Sequence, residues 1–559
     1  MQNLDNLALR KRLTQELIAL RQHTPEQPYS IAHRLKLAKA YRSLGYPDLA
    51  IGDAYKALLL VDEVREESEY HDEALEAAEA DFLTYRMAKL DVEQDVNENV
   101  AKEHEVWNWA QTKSKTAYDI LIRCLIDCGC LRSAFDYITR AKKAFPGDTT
   151  FEIYNEVLSK QVDSVTDVDD YPDKGLVRRE QYAWNDHEPN RFSEECLTFL
   201  NEELRSIAPK LEVKVAELPI LSFGGGTNES HTEIRYAKQL GLFAKENISP
   251  GVRVLKEKSL LTAIARLHDS YCDACSIPLP NSQDTESAEG AEINIVACED
   301  CDEVFFCSAD CHDLAQDSYH PSLCGVDHAQ SQVPAREAAD YLYSRLLVRA
   351  LALAETQDVH PLELKEVRYI WGDYHSLDLD SVWQAETSGR LIDAFGSVPQ
   401  TLPFSFKYNV LVPQQILEKM DVNIFTQSHR YETWIFNTLY AKFRGTASAR
   451  QGLDGRPEIS AVHPMWCLAN HSCDPNVGWD WRGTMRFWTR EKFVDWEGRD
   501  PTKTPGLKKG EEVYGHYCDV RLPVKERREW AVGALGGDCM CERCVWEEAK
   551  ERQRNDTSQ

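Results

Sequence analysis

The chain reads as an α+β multidomain protein: a helical array comes first, then a region of short strands interrupted by a cysteine-rich module and by a helical insert. Three observations carry that reading. Apolar residues recur at helical spacing through residues 1–160; short β-like runs with turn glycines begin near Gly224-Gly225-Gly226; and eleven cysteines and one histidine between Cys272 and Cys544 stand at metal-ligand spacing.

The 559 residues, 43% hydrophobic and 10% aromatic, suffice for several cores and exclude a disordered chain. A formal net charge of −28 disfavours strong nucleic-acid binding, because that affinity comes from cationic side chains displacing counterions. The opening MQNLDNLALRKRLTQEL reads as an ordinary helix and not as a leader, and no apolar run has membrane-spanning length, so no membrane partner is expected. The expected setting is the nucleus, the cytoplasm or both. Seventeen cysteines in a reducing compartment are tested against metal sites before disulfides.

Within 1–160, RLKLAKAYRSLGYPDLAIGDAYKALLLVD (Arg34 to Asp62) predicts two amphipathic helices around Gly45-Tyr46-Pro47. The placement of Leu37, Ala38, Tyr41, Gly45, Tyr46, Ala50, Tyr55 and Ala57 resembles a tetratricopeptide repeat, in which small residues let paired helices approach closely. A second copy runs from Leu121 to Asp148, with Cys124, Gly129, Ala134, Tyr137, Ala141 and Pro146 in equivalent places. The turn glycines are 84 residues apart, so a degenerate copy or a long helix is expected across Glu63 to Trp109. A plain helical bundle is the other reading. Either way this region suits peptide binding better than chemistry.

Residues 161–220 read as an acidic linker, with the aromatic YAWNDHEPNRF covering a neighbouring domain. Short strands follow over 221–271 (EIRYA, GLFAKENI, GVRVLKEKSLLTA). A helical period returns over 325–460, in AADYLYSRLLVRALALA and HRYETWIFNTLYAKF, before short strands resume over 461–533. A cysteine-rich stretch (534–546) and a tail (547–559) close the chain.

Cys272-x2-Cys275, Cys298-x2-Cys301, Cys307-x3-Cys311 and His320-x3-Cys324 supply eight soft ligands, enough for two closed tetrahedral zinc sites. The order of these pairs over 272–324, with Phe305-Phe306 before the third, resembles a MYND zinc finger. That resemblance implies one ion on Cys272, Cys275, Cys307 and Cys311, and another on Cys298, Cys301, His320 and Cys324. The polar insert from Ser276 to Ala297, including SQDTESAEGAE, is expected to be a flexible acidic loop. MYND modules commonly bind peptides or nucleic acid, and the acidic surroundings favour a protein contact or a structural role. Cys539-x-Cys541-x2-Cys544 is one ligand short of a third site, and Cys473 is the candidate for the fourth position. Three zinc ions are therefore expected.

The stretch LANHSCDPNVGWDW, Leu468 to Trp481, is poor material for a regular element, because Pro475 lacks a donor and Asn and Asp compete for backbone hydrogen bonds. Asn470-His471-Ser472-Cys473-Asp474-Pro475-Asn476, then Gly510-Glu511-Glu512-Val513, then Tyr517, then CxCxxC, resembles the SET domain of protein lysine methyltransferases. With the finger inserted after the first strands, residues 222–546 resemble the SET-and-MYND-domain (SMYD-type) family. The resemblance implies small β-sheets with a pseudoknot, a cysteine-rich post-SET site, and S-adenosylmethionine and a target lysine, of a histone or another protein, meeting from opposite sides. It assigns cofactor binding to Asn470, His471, Asn437, Gly241 and Tyr517, catalysis to Tyr517, and the last metal site to Cys473, Cys539, Cys541 and Cys544.

Several positions depart from the family pattern: Gln239 replaces the first glycine of the early loop, Leu535, Gly536 and Gly537 replace aromatic channel residues, His516 replaces a small residue, and Val494 to Gly506 is inserted. Cys124, Cys128, Cys130, Cys196, Cys467 and Cys518 are expected in packing roles. Trp479, Trp481, Trp488 and Trp496 read as sheet and core packing, since no basic clusters interleave them. An S-adenosylmethionine-dependent protein-lysine N-methyltransferase is the leading expectation, and a non-catalytic SET, MYND and repeat adaptor is the alternative.

Overall fold

The structure is a computed structural model that describes residues 2–89, 103–162, 165, 167–219, 221, 236–265, 270–280, 294–301, 303–326, 333–372, 379–384, 394–395, 398, 400–452, 455–535 and 537–557. The glycine triplet 224–226, part of EIRYA, the acidic insert from 281 to 293 and Gly536 lie outside them. The chain divides into two compact units, Met1–Asn185 with Tyr374–Thr438, and Asp186–Asp373 with Leu439–Gln559.

The first unit is built on helices Gln2–Gln22, Ile31–Ser43, Pro47–Arg65, His71–Lys89, Glu103–Asp127, Leu131–Ala144 and Thr149–Gln161. Ser30 caps the second of these by accepting from the His33 amide, and Pro47 opens the third where no donor is required. Gly45 and Gly129 close the two hairpin turns at φ of 85° and 75°, a conformation that costs glycine nothing. Ala38, Ala50, Ala54, Ala57, Ala134 and Ala141 are fully buried, so the helices meet through small side chains. The stretch from Glu63 to Trp109 is not one long helix: helix Pro47–Arg65 ends within it, and helix His71–Lys89 and the start of Glu103–Asp127 follow.

The stretch expected as a linker, 161–220, is not a plain linker. It holds strand Gly175–Arg178 paired with Gln400–Phe404, helix Glu194–Ile207, and strand Leu211–Pro219. Its charges and aromatics are used in packing: Arg178 is buried against Glu180 at 2.9 Å and donates to the Gly45 carbonyl, and Tyr182 stacks on Trp184 beside Tyr46. The insert 325–460 is likewise mixed, with strands Gln400–Phe404 and Ala447–Gln451 beside its helices, and the tail continues helix Glu542–Thr557.

In the second unit a long hairpin pairs Leu211–Pro219 with Tyr236–Ala244, and Gly241 stands opposite Lys214. Two three-stranded antiparallel sheets follow: Val477–Trp481, Met485–Thr489 and Arg253–Glu257 form one, and Thr262–Ile264, Pro457–Val462 and Ala447–Gln451 the other. Leu200 and Leu204 of the helix Glu194–Ile207 join Leu211, Leu242, Val254, Ile459, Val477, Met485, Phe487 and Val513 in one core. The cysteine-rich module is fastened to helix Ala338–Thr356: Arg349 donates to the Asp273 carboxylate at 2.9 Å and lies 3.7 Å over the ring of Tyr319, whose hydroxyl donates to Asp273 at 2.8 Å.

Two buried groups lie just before the NHSC segment. Glu257 accepts from the amides of Met465 and Trp466 at 3.0 and 2.8 Å, which fixes the short helical turn Trp466–Leu468. His463 is buried with Nδ1 unpaired among the described residues, and burial pushes its pKa down to about 3. Unfolded histidine titrates near 6.5, so the unfolded chain binds the proton first as pH falls. Stability is therefore complete above about pH 6.5 and declines toward pH 3, by up to roughly 4 kcal/mol for this one group. His463→Phe should lose less stability between pH 7.5 and 5 than the parent in urea unfolding; equal losses would contradict this account.

Candidate active site

Among the described residues, three groups of four ligand-type side chains converge, each with its ligand atoms within 4.8 Å of one another: Cys272, Cys275, Cys307 and Cys311; Cys298, Cys301, His320 and Cys324; and Cys473, Cys539, Cys541 and Cys544. A zinc ion with four sulfur ligands at about 2.3 Å sets neighbouring sulfurs about 3.8 Å apart. Separations here include 3.8 Å for Cys275 and Cys307, 3.6 Å for Cys307 and Cys311, 3.9 Å for Cys298 and Cys324, and 3.4 Å for Cys473 and Cys544. His320 turns Nε2 to Cys298 and Cys301, and burial lowers its pKa, which favours the neutral ring that a metal needs. These donor sets fit zinc.

The third group lies beside the NHSC segment. Strand Asn470–His471 pairs in parallel with Tyr514–Gly515, and the Ser472 amide extends the ladder to the Gly515 carbonyl at 3.0 Å. Asn476 bridges the same two segments, accepting from the Tyr514 amide and donating to the Glu512 carbonyl, both at 2.8 Å. The Tyr517 amide donates to His471 Nδ1 at 3.0 Å, so that nitrogen is unprotonated and the proton sits on Nε2, 3.3 Å from the Cys473 sulfur. Burial holds the His471 pKa near 4, so the ring is neutral at neutral pH. The Tyr517 hydroxyl donates to the Ala469 carbonyl at 2.9 Å.

Gly241 lies against this knot. A Cβ there would stand 2.6 Å from Glu512 Oε1 and 3.1 Å from Asn470 Nδ2, so a larger residue would press on this hydrogen-bonded pair. Gln239, two residues earlier, accepts from Arg191 at 3.0 Å, which directs its side chain to that guanidinium. His516 stacks on Trp479, with ring centroids 5.4 Å apart, and its carbonyl accepts from the Trp479 indole. The insert after Val494 reaches back to the NHSC segment through Arg499, which ion-pairs with Asp474.

Asn437 belongs to the first unit, where its buried amide is hydrogen-bonded, Nδ2 donating to Asp48 and Oδ1 accepting from Asn409, each at 2.9 Å. Cys518 is buried, but it does more than pack: its sulfur gathers with His471 and Cys473. Cys124, Cys128, Cys130 and Cys196 are buried away from any ligand group among the described residues.

Sequence reasoning missed the cations around the third group. Arg543 donates to the carbonyls of Cys473 and Val520, and Arg527 donates to the Cys544 sulfur at 3.4 Å and to Glu547. A signal was present: four thiolates around one dication keep two net negative charges, and arginines in KERREW and CERC are the nearest candidates to offset them.

A short parallel pair carrying Asn470 and His471, a tyrosine bonded to His471 and a four-thiol group make up the candidate site, and the interleaved pairs supply two further ligand groups. No family model matches the chain. Over 303 residues, 50% of this chain and 53% of the relative, it is 23% identical to a SET and MYND domain-containing protein of Dictyostelium discoideum. Over 86 residues, 15% of this chain and 17% of the relative, it is 29% identical to the N-lysine methyltransferase SMYD2 of Homo sapiens. The chain thus spans about half the length of the first relative and a smaller part of the second. Over these spans it is similar to proteins named for SET and MYND domains and for lysine methylation. No helix among the described residues is long and apolar enough to cross a membrane.

Gly241→Ala should destabilise the protein by about 1–3 kcal/mol, because Glu512 or Asn470 must give way. Unchanged urea stability in the alanine variant would remove the close approach from the account.

Proposed function

We propose that this chain is a protein-lysine N-methyltransferase that uses S-adenosylmethionine. The observation that carries the reading is the knot itself: Asn470 and His471 share a parallel pair with the segment ending at Tyr517, and the Tyr517 amide and hydroxyl are bonded to His471 and Ala469. Asn470, His471, Gly241 and Tyr517 would hold the cofactor, which when bound supplies an electrophilic methyl carbon on a sulfonium. A hydroxyl whose proton is committed to Ala469 acts toward a methyl group or an amine only as an acceptor, which suits Tyr517 to aligning both. Alignment matters because in-line displacement gains most from holding the reacting atoms close and collinear. The target lysine must be neutral to attack, and an apolar channel lowers its pKa by removing water from the charged form.

Zinc would be held by the three ligand groups as a cross-link, with no chemical step of its own. The helices of 1–160 act in this reading as a tetratricopeptide-like surface that recruits a peptide partner, and the finger contributes to protein contact. A net charge of −28 favours a basic, lysine-rich protein such as a histone as the substrate. The nucleus and the cytoplasm both hold such proteins.

Incubation of the full chain with radiolabelled S-adenosylmethionine, histones and a cell lysate should label protein lysines. Tyr517→Phe should lower incorporation by about a hundredfold or more while the zinc content stays constant. Equal labelling by the variant would remove Tyr517 from the reaction, and a parent protein that neither labels protein nor binds the cofactor would be an adaptor.

A further inference from the structure

The Asn470 amide has two hydrogens and one oxygen, and the structure assigns both hydrogens. Nδ2 donates to the Leu240 carbonyl at 3.1 Å and to Glu512 Oε1 at 2.7 Å. Both partners are acceptors only, so the orientation of the amide is settled by chemistry: turning it over would set an oxygen against two oxygens. Oδ1 is then the end left over, and it has no hydrogen-bond partner among the described residues. The second oxygen of Glu512 is also used, accepting from the Tyr514 hydroxyl at 2.6 Å, and the Glu512 backbone is tied to Asn476. Both carboxylate oxygens and the backbone of Glu512 are therefore held.

We infer that Glu512 is a positioning residue for the methyl-transfer site, acting through Asn470. It fixes the amide so that Oδ1 faces outward as a hydrogen-bond acceptor for an N–H group of the methyl donor. The Leu240 carbonyl alone cannot do this, since one bond leaves the amide able to turn, whereas two acceptors on one nitrogen do not. The fit at Gly241 belongs to the same device: a Cβ there would press 2.6 Å from the carboxylate oxygen that holds the amide. The inference rests on the proposed cofactor site and adds to it the group that selects a donor over an acceptor on the ligand.

The test is calorimetric titration of the full chain with S-adenosylhomocysteine, the product form of the cofactor. Glu512→Ala should weaken binding by about tenfold, the worth of one hydrogen bond to a charged group. Glu512→Gln, which keeps an acceptor for Asn470 and can donate to Tyr514, should restore affinity to within about threefold of the parent. In an Asn470→Ala background the second substitution, Glu512→Ala, should cost nothing further, because its effect passes through the missing amide. At saturating cofactor, turnover of Glu512→Ala should recover most of the parent rate, whereas general damage to the fold would lower turnover as well and escape glutamine rescue. Parental affinity in Glu512→Ala, or losses that add in the double variant, would overturn the inference and leave the methyltransferase reading standing. A parent chain that does not bind S-adenosylhomocysteine would overturn both.

Discussion

Four thiols at one point are the constraint on which the candidate site depends. Cys473 comes from the irregular NHSC segment and Cys539, Cys541 and Cys544 from near the end of the chain, and their sulfurs converge within 4.8 Å. Without a cation this arrangement is costly, since each thiolate formed repels the next. With zinc it becomes a cross-link whose strength, about 10–16 kcal/mol in isolated zinc modules, exceeds anything the backbone provides there. The parallel pair Asn470–His471 with Tyr514–Gly515 is two residues long, and each of its hydrogen bonds contributes on the order of 1 kcal/mol. With zinc bound, the four-thiol group and not the strand pair would hold the loop in place.

From Cys473 the order spreads in both directions. His471, two residues back, turns its protonated nitrogen to the Cys473 sulfur and offers the other to the Tyr517 amide, so one neutral imidazole links metal ligand to tyrosine. Arg543 holds the Cys473 carbonyl, Arg499 holds Asp474, and Glu257 holds the turn that leads to Ala469. Each of these is a charged side chain on a different segment of the second unit. Asn470 and Tyr517 are thereby kept in register without belonging to one regular element.

Much of this was legible in the sequence, for reasons that can be named. Ligand pairs at x2 and x3 spacing are local, so Cys272 through Cys324 declare themselves, and the MYND resemblance supplied the same two groups that the fold brings together. The turn glycines Gly45 and Gly129 were readable because a positive φ selects glycine. What stayed hidden depends on long-range contacts. The stretch 161–220 looked like a linker because its aspartates are acidic and its strand Gly175–Arg178 is four residues long, yet that strand finds its partner more than 200 residues later, at Gln400–Phe404. Asn437 sits in IFNTLY, but two partners of its buried amide, Asp48 and Asn409, stand 389 and 28 residues away in sequence. Glu257, Arg527 and Arg543 are ordinary surface-type residues until the fold surrounds them.

If a metal at Cys473 orders the proposed cofactor residues, Cys473→Ser removes both together. Zinc content and S-adenosylhomocysteine affinity, measured on one preparation of this variant, should show one zinc equivalent and ligand binding lost while the zinc on Cys272 through Cys324 is retained. Loss of that zinc with affinity unchanged would show that the metal does not order Asn470, His471 and Tyr517.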